Sequence, residues 1–113
     1  MKKPKKTRQN TIQSEAEALN FFAELSGLRK HASNGFDLAR LELFEVINEI
    51  MENDPLGDDY SDALTQRLKN AGQSLYNSGG MKDMHDPLVW LFIPKRLHRD
   101  IDVHWSGVGE WLG

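Results

Sequence analysis

The sequence predicts an all-α domain, a small antiparallel bundle of about four helices with a disordered basic N-terminal arm. Three observations predict it. Apolar residues recur at spacings of three and four along most of the chain. Cap and stop signals cut that periodicity into segments of helical length. Charge is also segregated. The first ten residues hold five cations (Lys2, Lys3, Lys5, Lys6, Arg8) and no acid. Residues 37 to 62 hold nine acids (Asp37, Glu42, Glu45, Glu49, Glu52, Asp54, Asp58, Asp59, Asp62) and one base, Arg40.

At 113 residues with 39 % apolar content, one domain with one core is expected. No apolar run approaches the roughly 20 residues that span a bilayer. The basic N-terminus has no apolar segment after it, so it does not read as a secretory signal. The absence of cysteine excludes disulfides, thiol catalysis and Cys-based zinc sites. Cytoplasm is the expected compartment.

Residues 1–13 (MKKPKKTRQNTIQ) lack core formers and read as the disordered arm, leaving 14–113 as a single helical domain. Ser14-Glu15-Ala16-Glu17 is a capping-box pattern that opens a first helix of about 15 to 32. Its stripe is Ala18, Phe21, Phe22, Leu25, Leu28 and Ala32. Gly27 weakens it by about 1 kcal/mol relative to Ala. Ser33-Asn34-Gly35 closes it in loop chemistry, with His31 near that end, where a cation suits the dipole.

The central stretch is Phe36 to Met51, the longest uninterrupted helical period. Asp37 is the expected N-cap. Phe36, Leu43, Phe44, Ile47, Ile50 and Met51 share one face, and Glu42, Glu45, Glu49 and Glu52 share the opposite one. The first face should be buried and the second hydrated. Asn53-Asp54-Pro55 stops the helix. A third helix fits about 59 to 77, through Tyr60, Leu64, Leu68, Ala71 and Leu75, with Gly72 as a weak point. Asn77-Ser78-Gly79-Gly80 ends it.

Asp86-Pro87 reads as an N-cap with proline at the first helical position. Leu88 to Ile93 (LVWLFI) is apolar throughout, so it is either buried on all sides or an interface. Past Pro94, Ile101, Val103 and Trp105 alternate as in a strand. Leu97, Ile101, Trp105, Val108 and Leu112 repeat at helical spacing, and helix to about Ser106 is preferred because a lone strand has no partner. Gly107 and Gly109 then give a looser end carrying Trp111.

Three readings of function follow. The first is a small non-enzymatic interaction protein, a homodimer with an acidic docking face. Its partner-binding residues are Glu42, Glu45, Glu49 and Glu52, with Trp90, Phe92 and Trp105 at an apolar interface. No cofactor is expected. His98 with Asp102, and Asp100 with His104, are i,i+4 pairs that could meet on a helix. No H-E-x-x-H or comparable catalytic signature accompanies them. His85 beside Asp86 reads as part of a cap. The second reading is a nucleic-acid-associated accessory protein. It uses Lys2, Lys3, Lys5, Lys6 and Arg8 with a second basic cluster, Lys95, Arg96 and Arg99, beside Trp90 or Trp105 as stacking faces. The alternative role for that second cluster is a match to the acidic middle helix. No recognition helix follows 59–77, so a helix-turn-helix reader is not expected.

The third reading rests on Glu42-Leu43-Phe44-Glu45 and Asp59-Tyr60-Ser61-Asp62. These resemble the E-x-x-E and E-x-x-D pairs of the all-α nucleotide pyrophosphatases over about 20 residues, with Asp59 standing where that family has Glu. The resemblance implies Mg2+ held by Glu42, Glu45, Asp59 and Asp62 and bridged to phosphate oxygens.

Overall fold

The structure, a computed structural model, describes residues 15–53 and 61–112. Among these the elements are Glu15–His31 (α1), Gly35–Asn53 (α2), Asp62–Gly79 (α3), Met81–Met84 (α4), Pro87–Trp90 (α5) and Lys95–His104 (α6). The described residues are helical with no strand, so the alternation around Ile101 to Trp105 is helix and turn. None of these helices is long and apolar enough to cross a membrane. The arm and Ser14, Tyr60 and Asp59 lie outside the described residues.

α2 and α3 form the centre. Gly35 lies against Ser78, Glu42 against Ser74 and Glu49 against Arg67. Numbers rise on one helix as they fall on the other, so the two run antiparallel. Small residues at Gly35, Ala39, Ala71 and Ser74 allow this approach. The pair then buries Leu43, Phe44, Ile47, Ile50, Leu68 and Leu75. α1 packs on α2, with Phe21, Leu25 and Leu28 buried and the Phe21 and Phe44 rings 5.5 Å apart.

Local chemistry sets the helix ends, with two corrections. The cap of α2 is Asn34, three residues before the expected Asp37. Its Oδ1 accepts the Asp37 amide at 2.8 Å, and its Nδ2 donates to the Asp37 carboxylate at 3.2 Å. Asp37 is thus an acid in the first turn of α2 rather than the cap. Likewise α3 begins at Asp62 rather than at about 59, with Ser61 as its cap, the Ser61 Oγ accepting the Leu64 amide at 3.1 Å. Gly80 closes α3 at φ +77°, a backbone conformation that favours glycine.

The C-terminal third departs most from expectation. Leu88–Ile93 is neither buried throughout nor one helix. α5 is a single turn, capped by Asp86 with its carboxylate 2.8 Å from the Leu88 amide, and the chain turns at Leu91 to Ile93 before α6. Val89 and Ile93 are buried, Trp90 and Phe92 half-buried, and Leu88 and Leu91 exposed. α6 buries Leu97 and Ile101. Beyond it the chain runs along α3: the Trp105 indole N–H donates to the Leu68 carbonyl at 2.8 Å and the Tyr76 hydroxyl to Glu110 at 3.0 Å. The three tryptophans meet with ring centres 5.1 to 6.0 Å apart.

Candidate functional site

The acidic row of α2 was expected to face water. It does not. α2 is flanked by α1 and α3, and most of the row falls in the seams between them. Glu45 pairs with Arg29 of α1 at 3.3 Å, Glu49 with Arg67 of α3 at 2.6 Å, and Glu42 accepts the Ser74 hydroxyl at 2.8 Å. All three are half-buried, and Glu52 alone of the row is exposed. Val46, which falls among these acids on the helix surface, is fully buried. Within the chain, the cations that meet Glu45 and Glu49 of this row are Arg29 and Arg67.

Arg40 was read only as a lone base among acids. It is nine-tenths buried and joins α1 to α2, 2.7 Å from Glu24 and 3.1 Å from Asp37, with its guanidinium 4.9 Å from the Phe36 ring centre. Spacing alone could have found Asp37 but not Glu24, which lies on another helix.

Of the four expected magnesium ligands, the three within the described residues, Glu42, Glu45 and Asp62, are not brought together. Glu42 lies at Ser74, twelve residues along α3 from Asp62, which is about 18 Å at the helical rise. Glu45 turns to α1, and Asp59 lies outside the described residues. No group of three or more His, Cys, Asp or Glu among the described residues could hold a metal ion.

The expected His98–Asp102 pair is also redirected. A His98 ring nitrogen lies 2.9 Å from the Ile93 carbonyl, and the Asp102 carboxylate accepts the Trp111 indole N–H at 2.8 Å. His85 is the C-cap of α4, its backbone N–H donating to the Met81 carbonyl at 3.0 Å, and its ring stacks on Trp111, centre to centre 4.4 Å. Trp90 donates to the Met84 carbonyl at 2.8 Å. Trp105 has 0 % exposure, so it offers neither a partner contact nor a base-stacking face.

Two further features escaped sequence reading. One is an open notch of about 350 Å³ where the start of α2 meets the end of α3, lined by Gly35, Leu38, Ala39, Glu42, Ser74, Asn77 and Ser78. The other is Asp83, 7 % exposed, which accepts the Ser78 hydroxyl at 2.6 Å and the Lys82 ammonium at 3.0 Å. A Cβ at Gly79 would fall onto this carboxylate, so glycine makes room for it.

Burial pushes the Asp83 carboxyl up, but the Ser78 hydrogen bond and the Lys82 hydrogen bond and charge outweigh it. The net effect holds it below the ordinary 3.8. A carboxylate with a depressed folded pKa contributes stability above its unfolded pKa and loses it as pH falls toward the folded one. Asp83→Asn should therefore lower the melting temperature at neutral pH and weaken its fall below about pH 5. An acid limb identical to wild type in a pH series of melting curves would contradict this.

No protein-family model, curated protein or solved structure matches the chain.

Proposed function

We propose that the chain is a small non-enzymatic helical interaction protein that pairs with a second copy through the apolar surface of its C-terminal third. The observation that supports this is the exposure of Leu88 and Leu91, at 53 % and 68 %, directly beside the half-buried Trp90 and Phe92. The two leucines are three residues apart across one helical turn and so lie on one side of it. Val103 and Leu112, at 57 % and 95 %, add apolar surface in the same third. Such surface continues from the core into solvent, where a second copy gains most by covering it. An arrangement of α1, α2, α3 and α6 as one bundle belongs to the same reading, with the antiparallel α2–α3 pair at its centre.

The acidic row is not the docking face in this reading, because Glu42, Glu45 and Glu49 already have partners within the chain. Catalysis is set aside because His98, Asp102, Asp83 and Ser78 are each engaged in contacts that fix the fold.

Sedimentation velocity at micromolar concentration tests the proposal. The wild type should sediment as a dimer. Leu88→Asp with Leu91→Asp should give a monomer with unchanged far-ultraviolet circular dichroism, because neither side chain is buried. Trp90→Asp would be a poorer test, since it also breaks the indole bond to Met84. A monomeric wild type, or a dimer untouched by the double substitution, would overturn the reading.

A further inference from the structure

We propose that Asn34 is a site of spontaneous covalent modification, in which its side-chain amide is lost through a cyclic imide formed with the Gly35 backbone nitrogen. Asn34 and Gly35 are both exposed, at the junction of α1 and α2. Gly35 is the first residue of α2, so its N–H lacks the helical partner four residues back, and among the described residues it meets no other acceptor. The nitrogen that must attack is therefore free. With no Cβ on Gly35, its approach to the Asn34 side chain is open. The Asn34 Oδ1 accepts the Asp37 amide at 2.8 Å. That N–H lies where negative charge develops when a nitrogen adds to the Asn34 Cγ, and it stabilises the adduct. Packing does not demand glycine here, because a Cβ would meet the Ser78 Cβ at an ordinary 3.6 Å. At Asn77 the same chemistry is shut off. Ser78, the residue that follows it, lies within α3, so its N–H is committed to the helix.

The step balances with water alone. The Gly35 nitrogen loses its proton to hydroxide and bonds to the Asn34 Cγ. The Cγ–Nδ2 bond then breaks, and the side-chain nitrogen takes a proton from water and leaves as ammonia. A second water opens the imide. Cleavage between the Gly35 nitrogen and Cγ gives aspartate, and cleavage between that nitrogen and the Asn34 main-chain carbonyl carbon gives isoaspartate. Both products replace a neutral amide by a carboxylate. In the unmodified chain the Asn34 Nδ2 donates to the Asp37 carboxylate at 3.2 Å, and that carboxylate also holds Arg40, which joins α2 to Glu24 of α1. A second carboxylate beside Asp37 removes the donor and adds repulsion. Isoaspartate also routes the main chain through the former side chain, so the group that capped α2 is gone. The start of α2 thus loosens as the molecule ages.

The test is mass spectrometry of tryptic peptides from the full chain, kept folded for weeks in mildly alkaline buffer. Peptide 31–40 contains Asn34 as its only asparagine, and peptide 70–82 contains Asn70 and Asn77. Peptide 31–40 should gain the mass difference between an amide and a carboxyl group and split into two isomers, faster as pH rises. Peptide 70–82 should stay unchanged. Gly35→Ala should keep the circular dichroism of the wild type and slow the gain about tenfold or more, because a Cβ then hinders the attack. The isoaspartyl form, separated by its added charge, should melt about 4–8 °C below the unmodified chain, as loss of a helix cap does in a domain of this size. Four results would each overturn the proposal: Asn34 intact in the folded chain while the free peptide converts, equal conversion of Asn77, a rate untouched by Gly35→Ala, or an isoaspartyl form that melts with the wild type.

Discussion

Trp105→Ala is expected to cost about 3–5 kcal/mol, the upper range for removal of a buried aromatic side chain. The indole has 0 % exposure, hydrogen-bonds the Leu68 carbonyl and touches both other tryptophans. Its removal leaves a cavity between α3 and the end of α6. Gly72 is the counterpart. A Cβ there would stand 2.6 Å from the Trp105 indole nitrogen and 2.7 Å from the adjacent ring carbon. Helix propensity favours Ala over Gly by about 1 kcal/mol. Overpacking a close contact costs about 1–3 kcal/mol, so steric conflict should decide the sign. Gly72→Ala is therefore destabilising in the wild type. In the Trp105→Ala background the conflict is gone, and the same change should be neutral or stabilising. Urea unfolding of the four chains, followed by circular dichroism, measures the cycle. A stabilising Gly72→Ala in the wild type would show that the indole does not lie on α3.

The second large effect belongs to α2. Phe44→Ala should cost about 3–5 kcal/mol and Ile47→Ala about 2–5 kcal/mol, because both side chains have 0 % exposure. Glu49→Gln should stay within about 1 kcal/mol. Its bond to Arg67 is short, at 2.6 Å, but both side chains remain over 40 % exposed, where water screens the pair. Urea midpoints at constant slope separate the two sets. Comparable losses in all three variants would mean that α2 is packed the other way round.

These contrasts show where sequence suffices. The periods of Phe21–Leu25–Leu28, Leu43–Phe44–Ile47–Ile50 and Leu68–Ala71–Leu75 fixed three long helices within three residues at each end that lies in the described range. The residues named in these periods are buried, whereas Phe22 of the first stripe is 45 % exposed and Phe36 of the central face only half-buried. Helix formation and its termination at Asn53, Gly79 and Gly80 are local events. Hydrogen bonds and backbone preferences spanning a few residues decide them, and those residues are adjacent in the sequence. The apolar period also put Leu97, Ile101 and Trp105 on one helical face in the last third.

Partners of polar groups, and the number of neighbours a helix has, are not local. The acids of α2 read as a solvated face because periodicity assigns one buried side to a helix. With α1 and α3 both packed against α2, Val46 is buried among those acids, and Glu42, Glu45 and Glu49 find Ser74, Arg29 and Arg67. Trp105 and Trp90 looked like surface aromatics because nothing in their own segments offers an acceptor. The carbonyls of Leu68 and Met84, 37 and 6 residues away, supply them. The sequence by itself determined which stretches are helical and which side chains must leave water, since both follow from short-range spacing. Only the tertiary structure decided which charges are neutralised and which leucines and cations face outward, because those depend on contacts between residues far apart along the chain.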